Sequence, residues 1–172
     1  MASEAEFWKW SLKYWRVEGV EERLLELQDD HGMVVLEILM AAWLASLGVR
    51  LSAKDWQAMV AAADPWVEGV VVPLRQQRQL WRDQAIHAGL YSEVKKLELS
   101  AERSLASIYV EALADAGDTD EGSGDAQRGT QADDLGGDPV FVNLARVLSR
   151  ANPPLAQDQV PALAELLGAK SV

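Results

Sequence analysis

The chain has 172 residues, 49% of them apolar, no cysteine, and 16 basic against 27 acidic side chains for a net charge of −11. A chain of this size buries about 70% of its unfolded surface and needs no staple; without cysteine there is no disulfide scaffold, thiolate zinc site, iron–sulfur cluster or thiol nucleophile. The negative charge disfavours nucleic acid and anionic membrane as partners of the whole molecule, because both are polyanions.

No targeting segment is expected from the start Met-Ala-Ser-Glu-Ala-Glu, which is acidic where a signal peptide is basic, and the lack of a disulfide requirement fits a reducing cytoplasm. Ser3 reads as the N-cap of a first helix, with Glu6 completing a capping box. That helix runs to about Arg16, and Phe7, Trp8, Leu12, Tyr14 and Trp15 give it a wide apolar face. Gly19 breaks it. A short second helix with Val20, Leu24 and Leu27 on one side ends at Gln28-Asp29-Asp30-His31-Gly32. Met33 to Leu47 is the longest apolar run. It falls short of the roughly 20 residues that span a bilayer and carries Glu37, so it reads as a buried central helix stopped by Gly48.

Ser52, with Asp55 as capping partner, opens a helix with Trp56, Met59, Val60 and Ala63. Asp64 and Pro65 read as N-cap and first residue of a further, longer helix. Within it the Pro73 ring clashes with the Gly69 carbonyl and predicts a bend. Leu90, Val94, Leu97, Ala101, Leu105, Ile108 and Ala112, in steps of three and four, predict a helix over about Leu90 to Ala116 packed along its whole length. No segment alternates as a strand would.

Residues 117–139 carry seven acids against Arg128 and hold six of the twelve glycines. Such a stretch cannot bury enough to offset its ordering entropy. The predicted organisation is therefore an all-α compact bundle of about six helices over 1–116, a disordered acidic, glycine-rich linker over 117–137, and short amphipathic helices over 138–172. Of these, Asp138-Pro139 opens one with Val140, Phe141, Leu144, Val147 and Leu148, and a second covers about Asp158 to Leu167. Helices of about ten residues are marginal alone, so they dock either on the bundle or on a partner.

Phe7-Trp8-Lys9-Trp10-Ser11-Leu12-Lys13-Tyr14, then Gly19-Val20, Leu27-Gln28-Asp29-Asp30-His31-Gly32, Trp43, Pro65-Trp66, Val71-Val72-Pro73-Leu74-Arg75 and Glu98-Leu99-Ser100-Ala101-Glu102-Arg103 follow in order. This pattern resembles a family of small, all-helical proteobacterial proteins classed as a domain of unknown function, over about residues 5 to 110. The resemblance implies a helical fold and a cytoplasmic setting, and no activity. Val34, Val35 and Leu36 stand where it implies an acid, a valine and an asparagine.

Four sets of residues are candidates for function. Gln28, Asp29, Asp30 and His31 form a polar turn that is either half of a metal or acid–base site or a helix end capping its own backbone. Glu37, alone in an apolar helix, is either paired with an arginine from another helix, turned to water, or a carboxylate of raised pKa in a pocket. Arg75, Arg78 and Arg82 make a basic stripe that either binds phosphate or a nucleic-acid backbone, or pairs with Glu93, Glu98 and Glu102 of the next helix. The chain has seven tryptophans; most belong in a core, while Trp10 beside Tyr14 is a candidate partner anchor.

No phosphate-binding loop, dinucleotide fingerprint, nucleophile elbow or zinc-protease pair is present. No catalytic residue, metal ligand set or cofactor is assigned. The leading expectation is a non-enzymatic cytoplasmic protein acting through protein–protein binding, to another protein or to a second copy of itself. The alternative is a small-molecule or metal-binding helical domain, catalytic or not, centred on Asp29, Asp30, His31 and Glu37.

Overall fold

The protein is described by a computed structural model over residues 3–83, 88–118, 138–155 and 159–168. His87, and the predicted linker from residue 119 on, lie outside the described residues. Among those described, all regular structure is helical: α1 Glu4–Trp15, α2 Val20–His31, α3 Val35–Ser46, α4 Ala53–Trp66, a π-helical turn Val67–Val71, α5 Val72–Trp81, α6 Ala88–Asp118, α7 Pro139–Leu148 and α8 Gln159–Gly168. None of these helices is long and apolar enough to cross a membrane.

Local chemistry places most of the boundaries. The Ser3 hydroxyl accepts from the Glu6 amide while the Glu6 carboxylate accepts from the Ser3 amide, the reciprocal box expected at the start of α1. Ser52 caps α4 through the Asp55 amide and Asp138 caps α7 through that of Val140. Gly32 closes α2 at φ 62°, a left-handed conformation that side chains with a Cβ resist.

The core is built around α3, where every residue from Val35 to Ala45 is buried. An α-helix apolar on all sides is stable only when surrounded, and α1, α2, α6 and α7 surround it, while α4 and α5 lie along α6. Phe7 of α1 packs its ring 5.3 Å from that of Trp43 in α3, and Leu24, Ile38, Met40, Met59 and Leu105 are wholly enclosed.

Two expectations are corrected. Asp64-Pro65 starts no helix: α4 runs through it to Trp66 and continues by the π-turn into α5. Asp64 uses its carboxylate on Arg150 instead, 2.9 Å away. Just before Pro73 the helix widens into the π-turn Val67–Val71, closed by the Val72 amide on the Val67 carbonyl, and Pro73 stands in the first turn of α5, where a missing amide costs least. The apolar stripe of α6, in turn, is buried only in its later part. Ala101 and Leu105 are in the core, whereas Leu90 and Leu97 are exposed: at these earlier turns the face packed on α5 carries Glu98, buried against Arg75 and Arg78.

The C-terminal unit docks in cis. Leu144 and Val147 of α7 and Leu163 of α8 join the same core as α3. Beneath α7, the fully buried Asn143 accepts from the Leu51 amide at 2.8 Å and donates to the carbonyls of Val49 at 2.9 Å and Ala41 at 3.2 Å.

Candidate functional site

A groove of about 530 Å³ opens between α1 and α6, floored by α3 and closed off by α2 and α5. Its two long walls are helical stripes at the same spacing, Trp8, Ser11, Leu12 and Trp15 on α1 and Lys95, Glu98, Leu99 and Glu102 on α6. Residues at i, i+3, i+4 and i+7 share one helix face. Leu12 and Leu99 stand on the two lips at 48% and 53% exposure. At one end Arg103 clamps the walls together, its Nε 3.2 Å from the Glu4 carboxylate and its guanidinium 5.9 Å from the Trp8 ring centre.

The floor is apolar, made by Val35, Leu36 and Leu39. One of these, Leu36, sits where the chain departs from the pattern it resembles. Ser11 is only 5% exposed, lines the groove, and its hydroxyl has no hydrogen-bond partner among the described residues. A buried hydroxyl in that state costs about 1–3 kcal/mol.

The basic stripe divides. Arg75 is buried and donates to Glu98 (3.3 Å) and Glu102 (3.4 Å), and Arg78 donates to Glu98 from both Nε and Nη2. The hydrogen bonds to Glu98 hold the Arg78 guanidinium above its usual range against the pull of burial. Burial raises the Glu102 carboxyl, with Arg75 opposing. Two members of the stripe are thus committed to the carboxylates of α6, as the spacing of Glu98 and Glu102 indicates, and hold α5 onto α6. Arg82, at the end of α5, makes no ion pair among the described residues and stays at the mouth of the groove. Glu98→Ala is expected to destabilise the protein by about 3 kcal/mol, since it strands the partly buried Arg78 guanidinium and leaves Arg75 with Glu102 alone. Urea unfolding measures this, and a loss below about 1 kcal/mol would assign the pairing to Glu102 alone.

The aromatic pair is stacked, with Trp10 and Tyr14 rings 4.5 Å apart and nearly parallel. Tyr14 is 1% exposed, and burial holds its phenol above the usual range. The anchor expected at Trp10 and Tyr14 is therefore closed on the tyrosine side, while Trp10, like Trp8 and Trp15, is half-buried.

The polar turn is the last turn of α2, and the fold separates its members. Gln28 and Asp29 face the groove, bringing them to the same cavity as Arg78 and Arg82. His31 turns to the segment after α7: its Nδ1 lies 2.8 Å from the Pro153 carbonyl, which only accepts, so Nδ1 carries the proton. The His31 carbonyl in turn accepts from the Asn152 amide at 2.9 Å. Asp30 is exposed. Among the described residues no group of three or more histidines and carboxylates is placed to hold a metal ion.

Glu37 lies apart from the groove, at 1% exposure, and its partner is an arginine from another element as one sequence reading required. Arg150, just past α7, donates to Glu37 and Asp64 at 2.9 Å each, and the Tyr109 hydroxyl of α6 donates to Glu37 at 3.4 Å. Burial pushes the Glu37 carboxyl up to about 7 against the opposing pull of Arg150. Burial and the adjacent Glu37 carry the Tyr109 phenol well above its usual range. The arrangement ties α3, α4 and α6 to the C-terminal unit.

Sequence reasoning missed the groove walls. Trp8, Ser11, Leu12 and Trp15 carry the signal of a repeated one-sided stripe, but core burial was assigned to that face. A family model described as protein of unknown function (DUF2390) matches residues 6–108, which include every residue lining the groove, whereas Asn143, Arg150 and both C-terminal helices lie beyond it. No curated protein and no solved structure matches the chain.

Proposed function

We propose that this chain, which belongs to the DUF2390 family of proteins of unknown function, acts in the cytoplasm as a non-enzymatic binding protein whose groove between α1 and α6 receives an amphipathic helix of a partner protein. The observation that carries the reading is the pair of facing stripes at i, i+3, i+4 and i+7, each with a half-exposed leucine on its lip. A guest helix in such a groove buries its own apolar stripe between them, the common mode of helix-in-groove recognition. An extended guest is disfavoured, since walls of Trp8, Trp15, Leu12 and Leu99 offer its backbone amides and carbonyls few hydrogen-bond partners; a helix satisfies its own. The absence of cysteine, which makes the fold independent of an oxidising compartment, accords with a cytoplasmic setting.

Selection of helical peptides from a displayed library against the full chain tests this. Enriched peptides are expected to share an apolar stripe at i, i+3, i+4 and i+7, and to lose binding to Leu12→Asp and Leu99→Asp, which keep the fold because both side chains are half in water. Enrichment without that stripe, or equal binding to both variants, would overturn it.

A further inference from the structure

The charges at the groove mouth are sorted by element. Glu21 and Asp29 come from α2; Arg82 and Lys95 come from α5 and α6. None of the four makes an ion pair among the described residues, in contrast to Glu98 and Glu102, which Arg75 and Arg78 neutralise deeper in the wall. Moreover, α2 packs on α1 and α3 rather than on α5 or α6, so the acidic and the basic pair are held apart. Between them lies the apolar floor of Val35, Leu36 and Leu39.

From this we infer that the preferred partner segment is a helix with divided flanks: an apolar stripe bordered by carboxylates on one side, to meet Arg82 and Lys95, and by lysines or arginines on the other, to meet Glu21 and Asp29. The inference rests on the helix-in-groove reading and adds the chemistry of the guest. The sorted charges support it. The charge sorting selects the flanks, because like charges brought together at a rim repel and complementary ones set register. A nucleic acid does not fit, since the mouth holds as many acids as cations.

Three synthetic peptides test the inference, identical in length and apolar stripe and differing only in flanks: divided, wholly acidic, or wholly basic. Affinities for the full chain are read by fluorescence anisotropy at low salt. The divided peptide is expected to bind about tenfold tighter than either uniform one, as four rim pairs of modest strength allow. The Arg82→Glu, Lys95→Glu double variant should shift the preference to the basic peptide, and Glu21→Lys, Asp29→Lys to the acidic one; all four residues are at the mouth, clear of the core. Equal binding of all three peptides, abolished by Leu12→Asp, would overturn the charge rule while leaving the groove as a helix site. Absence of binding by all three would overturn both.

Discussion

Asn143→Ala is expected to destabilise the protein by about 4 kcal/mol, which places it among the most costly single substitutions available. The reason is the number of groups left behind. The side chain is wholly enclosed, and its removal leaves the Leu51 amide and the Ala41 and Val49 carbonyls without the partners they have in the native chain. Burying a polar group without a partner costs far more than the hydrogen bond itself contributes. Those three backbone groups belong to α3 and to the loop that leads to α4, so the substitution also loosens the hold of α7 on the central helix. Asn143→Leu, which restores volume without polarity, should recover little of the loss. Denaturant unfolding measures the cost, and amide exchange in α7 should rise before that in α4 or α6. A loss below about 1 kcal/mol with unchanged exchange in α7 would show that apolar contacts of Leu144 and Val147 alone seat the C-terminal unit.

The second large effect is on pH dependence. Glu37 binds its proton in the folded chain at about 7, against 4.5 for the group in its unperturbed state. As pH falls, the folded state takes up the proton first. The stabilisation from this protonation is therefore complete below about 4.5 and disappears as pH rises through 7, a change of about 3 kcal/mol. Unfolding free energies of the native chain and of Glu37→Gln, compared from pH 4.5 to 8, should diverge by that amount, with the glutamine variant favoured at the alkaline end. Its Oε1 can still accept from Arg150 and Tyr109, but it carries no charge to bury. Arg150→Ala should act the other way, costing about 3–5 kcal/mol at pH 8 because the carboxylate loses its cation, and much less at pH 5, where the carboxyl is neutral. Parallel stability curves for the native chain and Glu37→Gln would refute the assignment.

Much of this architecture was legible in one dimension. The Ser3 and Glu6 box, the caps at Ser52 and Asp138 and the glycines that close α2 and α3 act through neighbours a few residues away, and such contacts travel with the sequence. The solid apolar run over Val35 to Ala45 could be satisfied only by burial on every side. Arg75 and Arg78 could be matched to Glu98 and Glu102 because helical spacing brought both sets onto single faces. Asp64-Pro65 misled because Pro at a first helical position and Pro inside a continuing helix look alike until the surroundings show whether Asp64 is a cap or, as here, a partner for Arg150.

What periodicity could not supply is the use to which each face is put. The stripe of Trp8, Leu12 and Trp15 has the composition of a core, and α6 repeats its apolar step through turns whose packed face holds Glu98 instead. Whether such a face is covered depends on the lengths and crossing positions of helices distant in sequence, as at the exposed Leu90 and Leu97. Glu37 announced its need for a cation from within α3, yet the choice of Arg150, 113 residues away, is made only where α7 turns toward α4. Helix identity, helix ends and the buried centre follow from interactions within a few turns. The open groove, its sorted charges and the seating of the C-terminal unit follow from long-range packing, in which many sequences with the same local pattern could have closed the gap that this one leaves.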